Sequence, residues 1–387
     1  MPRSEDERLG NLRHRAINRP RRFRRGVRAL RHLQHLRLDS ARCESGLHFL
    51  CAAGKCFRHE SEGSGDITAV AHKAVPNPVL YCTILISFVA SGLLTRPSRF
   101  AYSRQGAMKI IDTHQHLWDM DLFPYSWCHA FPALNRSFRM ADYLEAARGL
   151  GVEKTVYVDA DVDEPYILAE TRTVLSLADR TDNPLEGVVA SSRPEHEDFR
   201  HYLDQIAGHP KLKGVRRVLH TQPDELSQSG TFIENIRSLS EYGLSFDVCV
   251  LARQLPIALD LVRRCPDVRF VLDHCGNPLV KEKLLEPWRR YIREIAGCPN
   301  VVCKVSGLVA NADPQNWTPE DLRPFLEPVL ECFGRDRVVF GSDWPVCTLA
   351  ASYARWVGAL SALTRSESEE NRSKLFHENA VRVYRLN

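Results

Sequence analysis

From Lys109 onward the chain repeats one unit: a short apolar run, then a stretch with helical spacing, eight times over. The apolar runs are Lys109–Thr113, Lys154–Asp159, Gly187–Ser191, Lys213–Leu219, Leu244–Val250, Arg269–Asp273, Val301–Val305 and Arg337–Gly341. Between them, Leu284, Leu285, Trp288, Tyr291, Ile292 and Ile295 share one helical face, as do Leu322, Phe325, Leu326, Val329 and Leu330. Pro165 and Pro319 fall where first-turn prolines belong. Eight β-then-α units in residues 108–387 predict a (β/α)8 TIM barrel. A doubly wound open sheet has the same alternation. It would place a Gly-rich phosphate turn after its first strand, and none follows Thr113.

Charge separates this body from what precedes it. Residues 1–107 carry 19 Lys and Arg against 8 Asp and Glu, whereas residues 108–387 carry 33 against 40. The first segment reads as a basic extension of little structure, with Arg21, Arg22, Arg24 and Arg25 nearly contiguous. Without interleaved aromatics or a recognisable motif it predicts no nucleic-acid partner. The uncharged run Val79–Leu94 has 16 residues, short of the roughly 20 needed to span a bilayer. Its internal position also does not suit a signal peptide, so the reading is a cytoplasmic protein without a membrane partner. Met108 stands directly before the first strand, so the functional product could equally begin there.

The 12 cysteines include no C-x-x-C pair, and Cys249, Cys275 and Cys303 lie inside or at the ends of strands. Buried free thiols explain this better than a disulfide framework.

In a TIM barrel, chemistry sits at the C-terminal ends of the strands. Strand 1 ends in Asp112-Thr113-His114-Gln115-His116, strand 4 carries Arg216 and Arg217 and ends at His220, and strand 6 ends in Asp273-His274. Strand 7 holds Lys304, and strand 8 runs into Ser342-Asp343-Trp344. His114 and His116 would point the same way on an extended strand, which suits metal chelation, although two histidines capping a strand end would look the same. Asp343 follows an apolar run and must be bonded, paired or ligating there, or else cap the next helix. His274 could be a satisfied semi-buried histidine, Arg216 a structural ion-pair partner and Lys304 a snorkelling side chain. Trp118 and Trp344 flank the site and would either stack on substrate or simply pack. What favours function is that all these groups fall at one end of eight ordered strands, since unrelated polar residues would scatter to both ends.

The segments IIDTHQHLWD, GVRRVLH, LSFDVCV followed by Gln254-Leu255-Pro256, VLDHCGNP, VCKVSGL, RVVFGSDWPV and the closing HENAVRVYRL resemble the amidohydrolase-related hydrolases. Within them the likeness is to sugar-lactone hydrolases of the L-fuconolactonase and L-rhamnonolactonase type, and it covers residues 108–387. The resemblance implies a metal site of His114, His116, His274 and Asp343 and substrate-facing positions at Arg216 and Gln254; the chemistry of lactone opening adds Asp343 as base, His274 as a carbonyl-polarising group, Lys304 beside Arg216 as a grip on substrate and Trp118 as a stacking face. Strand 4 offers no bridging Lys or Glu at its tip and strand 5 ends in Val248-Cys249-Val250, so a binuclear centre is not expected. The expectation is one divalent ion, zinc or manganese, or none. The implied reaction is water attack on the carbonyl of a small-molecule lactone, with a homo-oligomer as an allowed assembly. Amide hydrolysis, metal-assisted decarboxylation or a non-catalytic binding barrel remain open on the same residues.

The composition break carries a prediction. A chain beginning at Met108 is expected to keep the circular dichroism spectrum and the turnover of the full protein. An unfolded product would place residues 1–107 within the core.

Overall fold

The computed structural model describes residues 108–386 and, separately, the backbone of two short antiparallel strands, Leu50–Ala52 and Lys55–Phe57, whose register sets Cys51 opposite Cys56. The arginine cluster near Arg21 and the run Val79–Leu94 lie outside the described residues.

Alternating apolar runs and amphipathic stretches fold as parallel strands, each followed by a helix. The strands are β1 (Ile110–Gln115), β2 (Val152–Val158), β3 (Leu185–Ser191), β4 (Leu212–Val218), β5 (Ser245–Cys249), β6 (Arg269–Leu272), β7 (Val301–Val305) and β8 (Val338–Phe340). They pair in sequence order in one parallel sheet of eight, the arrangement of a (β/α)8 barrel. The covering helices are α1 (Met140–Ala146), α2 (Ile167–Ala178), α3 (Phe199–Asp204), α4 (Gly230–Tyr242), α5 (Leu255–Arg264), α6 (Trp288–Ala296), α7 (Pro319–Phe333) and α8 (Tyr353–Leu363). Helix starts follow local chemistry. The Ser229 and Ser352 hydroxyls accept the Phe232 and Arg355 amides at 3.2 Å, and Pro319 opens α7 behind a Thr318–Asp321 capping box.

Two apolar compartments result. The larger fills the space between strands and helices. The smaller lies inside the barrel, where Ile111, Val158, Val189, Val271, Val302 and Val339 meet Ala380, Val383, Tyr384 and Leu386 from the end of the chain. A last helix, α10 (Asn379–Tyr384), reached through α9 (Glu369–Ser373), thus plugs the barrel interior. The Asn379 side chain donates to the Arg335 and Val338 carbonyls at 2.7 and 2.8 Å and fixes this plug at the start of β8.

The barrel closes between β1 and β8, and the closure explains where those strands end. From the spacing, strand 1 stops at Thr113 and strand 8 runs to Gly341. Instead β1 continues to Gln115, and beyond Phe340 the chain crosses to pair with it. The Asp343 amide donates to the His114 carbonyl and the His116 amide to the Trp344 carbonyl, both at 2.8 Å. Asp112 ties the seam. One carboxylate oxygen accepts the Ser342 amide at 2.8 Å, and the other accepts the Tyr143 and Tyr353 hydroxyls at 2.9 Å. Gly341 is required here, because a Cβ would stand 2.6 Å from His114 Cβ.

One helical face is shorter than its spacing suggests. Pro287 precedes the first residue of α6, Trp288, so Leu284 lies in the preceding loop and is exposed, while Trp288, Ile292 and Ile295 form the buried face. All eight cysteines of the body are free thiols, six of them buried. Among the described residues, no helix is long and apolar enough to cross a membrane.

Candidate active site

The extended backbone of β1 and its seam with β8 bring three donor atoms together at the C-terminal mouth. His114 Nε2 lies 3.1 Å from His116 Nε2, and Asp343 Oδ1 lies 3.3 Å from His116 Nε2 and 3.8 Å from His114 Nε2. Asp343 reaches them from a left-handed turn, φ 58°, a conformation that Asp tolerates better than most residues.

The other ring nitrogens identify the tautomers. His116 Nδ1 is 2.8 Å from the Val158 carbonyl, which only accepts, so this nitrogen carries the proton. His114 Nδ1 faces the Asp273 carboxylate at 3.4 Å and carries its proton for the same reason. Burial takes the His114 imidazole well below its ordinary range, with Lys304 adding to the shift and Asp273 opposing it, so the ring is neutral near pH 7. Two Nε2 lone pairs therefore face each other and a carboxylate oxygen. The Arg216 guanidinium, 3.3 Å from His114 Nε2, is the nearest positive group.

These donors fit a divalent cation. Ligands bound at 2.0–2.1 Å to a tetrahedral zinc stand about 3.3 Å apart, close to the separations found here. The charge around them fits as well. Asp159, Asp247, Asp273 and Asp343 outnumber Arg216 and Lys304, and the His114 imidazole is neutral.

Beneath the imidazoles lies a buried ionic layer. Lys304 Nζ sits 2.7 Å from Asp247 Oδ2 and 2.9 Å from Asp273 Oδ1. Arg216 binds the Asp159 carboxylate and carbonyl, and donates to Asp273 Oδ2 at 3.2 Å. Burial pushes the Asp273 carboxyl up, but Lys304, His114 and Arg216 outweigh it and hold it well below the usual carboxylate range. Burial raises Asp247 to about 6 against the pull of Lys304, so it too is mostly ionised near neutrality. Tyr384, from the plug below, reaches Asp247 Oδ2 at 3.3 Å.

His274 stands beside this group on a left-handed backbone, φ 52°, with its ring centre 4.5 Å from that of His114. Its Nδ1 meets Ser306 Oγ at 2.9 Å, and burial lowers its pKa. Gly307 makes room for it. Its φ is 67°, and a Cβ there would lie 2.6 Å from His274 Nδ1.

The remaining expected contacts are placed elsewhere. Lys304 is completely buried, with its ammonium held by two carboxylates. Arg216 has its guanidinium engaged by Asp159 and Asp273 and lies 3.3 Å from His114 Nε2. Gln254 braces loops. It accepts the Leu251 amide at 2.9 Å and donates to Asp224 Oδ1 at 2.8 Å and the Leu219 carbonyl at 3.3 Å. Trp118 is buried among Tyr125, Trp127 and Phe138, with its indole donating to the Arg136 carbonyl. Asp159 and Asp247 were not singled out from the sequence. Their signal is a lone carboxylate inside or at the end of an apolar strand, in VYVDAD and LSFDVCV.

A family model described as amidohydrolase matches residues 111–386, and the chain belongs to that family. It is 32% identical over 284 residues to an L-fucono-1,5-lactonase of Burkholderia ambifaria, covering 71% of this chain and 95% of that enzyme. It is 31% identical over 295 residues to an uncharacterized protein of Sinorhizobium fredii, covering 72% of this chain and 98% of that protein. The crystal structure of an amidohydrolase from Burkholderia multivorans with bound zinc superposes with a TM-score of 0.65 at 31% identity, covering 72% of this chain and all of that one.

The ionic layer gives a prediction that separates a structural lysine from a substrate contact. Lys304→Met leaves Asp247 and Asp273 buried without their cation. It is expected to lower unfolding free energy by about 3–5 kcal/mol in a denaturant titration. Unchanged stability with a raised KM would return Lys304 to the substrate.

Proposed function

We propose that the chain opens a small-molecule lactone, a sugar lactone, by attack of an activated water on the ring carbonyl. Two observations support the reading: the convergence of His114 Nε2, His116 Nε2 and Asp343 Oδ1 at the barrel mouth, and the likeness to L-fucono-1,5-lactonase over nearly that enzyme's whole length.

His114, His116 and Asp343 would hold one divalent ion, zinc or manganese, with His274 alongside. Bound there, it would supply Lewis acidity toward the carbonyl and toward the attacking water. The second grouping of donors, His114 with Asp273 and His274, shares His114 with the first, and its Asp273 is already committed to Lys304 and Arg216. One ion per chain therefore suits the donor set better than two.

The protein's own groups divide the work. Asp343 turns Oδ1 toward the imidazoles, which leaves Oδ2 to accept a proton from the water. As the water oxygen bonds to the carbonyl carbon, the ring C–O bond breaks and Asp343 returns the proton to the departing ring oxygen. The product is the open hydroxy acid. His274, lowered by burial and bonded to Ser306, acts as a neutral polar group beside the reacting carbonyl. The ionic layer below keeps His114 oriented and excludes water from the barrel interior.

Two measurements test this. A panel of sugar lactones, carboxylic amides and aromatic carboxylic acids, assayed with and without added zinc or manganese, is expected to give turnover on lactones and stimulation by metal. Turnover confined to amides or to decarboxylation would overturn the reading. Asp343→Asn is expected to lower kcat by roughly 10²–10⁴-fold with thermal stability retained. Near-normal activity would reduce Asp343 to a turn residue.

A further inference from the structure

One pair of side chains near the mouth has no part in the donor set or the ionic layer. Along β4, Val215 faces the helices and belongs to the outer core, whereas Arg216 faces inward and reaches His114; His220 lies in the turn just past the end of the strand. Along β5, Phe246, Val248 and Val250 face outward, so Asp247 and Cys249 face inward. Cys249 stands one level above Asp247, paired with Val218, and the chain turns just beyond so that His220 Nδ1 lies 3.2 Å from Cys249 Sγ.

The pair is held from several sides. The Leu219 amide donates to the Cys249 carbonyl at 3.0 Å, extending the β4–β5 ladder to the residue before His220. Gln254 donates to the Leu219 carbonyl at 3.3 Å and is itself tied to Leu251 and Asp224. A glutamine buried at the start of α5 therefore braces the turn that carries His220. The His220 ring is only partly buried, with Nδ1 at the sulfur and Nε2 on the opposite edge of the ring.

Chemistry fixes what that edge offers. Burial pushes the Cys249 thiol up, well beyond neutrality, so the sulfur keeps its hydrogen and can donate it to Nδ1. The proton of the neutral ring then resides on Nε2. Burial also lowers the His220 pKa to about 4, with Arg216 next in effect, so the ring stays neutral through the working range. His274, Asp273 and Asp343 also act on it electrostatically, so it stands near the donor triad.

We propose that His220 is a catalytic residue, its Nε2–H donating a hydrogen bond to the lactone carbonyl oxygen as charge develops there, and that Cys249 is the positioning residue that sets its tautomer. This rests on the lactonase reading above. No proton changes hands at His220. It stabilises the oxyanion as a fixed neutral donor while Asp343 carries the proton.

The test uses the full-length, metal-loaded protein and a lactone that it turns over. His220→Ala is expected to lose about 10²–10³-fold in kcat with little change in KM, the effect of removing one oxyanion donor. His220→Gln, which keeps an N–H near the same place, should recover part of the loss. Cys249→Ser keeps a hydrogen for Nδ1 and should stay close to wild type, whereas Cys249→Val, with none to give, should fall about 10–100-fold in kcat. Metal content per chain and circular dichroism should be unchanged in all four variants. An unimpaired His220→Ala, or Ser and Val equivalent at position 249, overturns this assignment while leaving the lactonase reading intact. A loss that tracks metal content makes His220 a ligand and also overturns it. Absence of lactone turnover by the unmodified chain defeats the lactonase reading, and this assignment with it.

Discussion

The contact on which the site depends is the one between Lys304 and the two carboxylates of Asp247 and Asp273, all three fully buried. Placing charges in a protein interior is unfavourable unless each is paired, and such a layer adds little stability compared with well-packed apolar residues. Its consequence here is positional. Lys304 and Arg216 fix the Asp273 carboxylate from two sides, and Asp273 faces His114 Nδ1. A fixed carboxylate beside Nδ1 favours the tautomer with the proton there, which leaves the lone pair on Nε2. Removing any member would leave a charge without its partner, so the layer behaves as a unit.

Above and below that layer the chain's own ends complete the arrangement. The plug that closes the barrel interior, ending in Tyr384, reaches up to Asp247. The seam between β1 and β8 converts barrel closure into catalytic geometry. The backbone bonds that close the barrel, Asp343 to His114 and His116 to Trp344, join residues that carry the three donor atoms. Gly341 and Gly307 are the two places where a side chain would collide with His114 or His274. Fold and site are therefore not separable here. A disturbance of closure moves ligand atoms, and a disturbance of the ionic layer turns an imidazole.

The barrel was legible in the sequence because eight apolar runs and their helices keep their periods locally. That His114, His116, His274 and Asp343 come together was legible for a related reason: strand parity and the rule that polar groups at C-terminal strand ends converge need no knowledge of partners. Lys304 and Arg216 were different. A lone cation in an apolar strand looks the same whether it reaches substrate or a carboxylate 57 residues away, and only the folded register shows Asp247 and Asp159 waiting for them. Trp118 and Gln254 raised the same difficulty, since an aromatic or an amide near the mouth in sequence can pack beneath it in space. The early end of strand 8 was hidden because the seam draws the chain toward β1 after Phe340, a tertiary effect that hydrophobic spacing does not encode.

The mouth presents converging donors from His114, His116 and Asp343, proposed above to hold one cation. Elemental analysis of the purified full-length chain, before and after dialysis against a chelator and with activity followed in parallel, tests it most directly. Close to one zinc or manganese per chain is expected, lost together with turnover and restored with it. A reproducible value near two per chain, or full activity in metal-free protein, would contradict it.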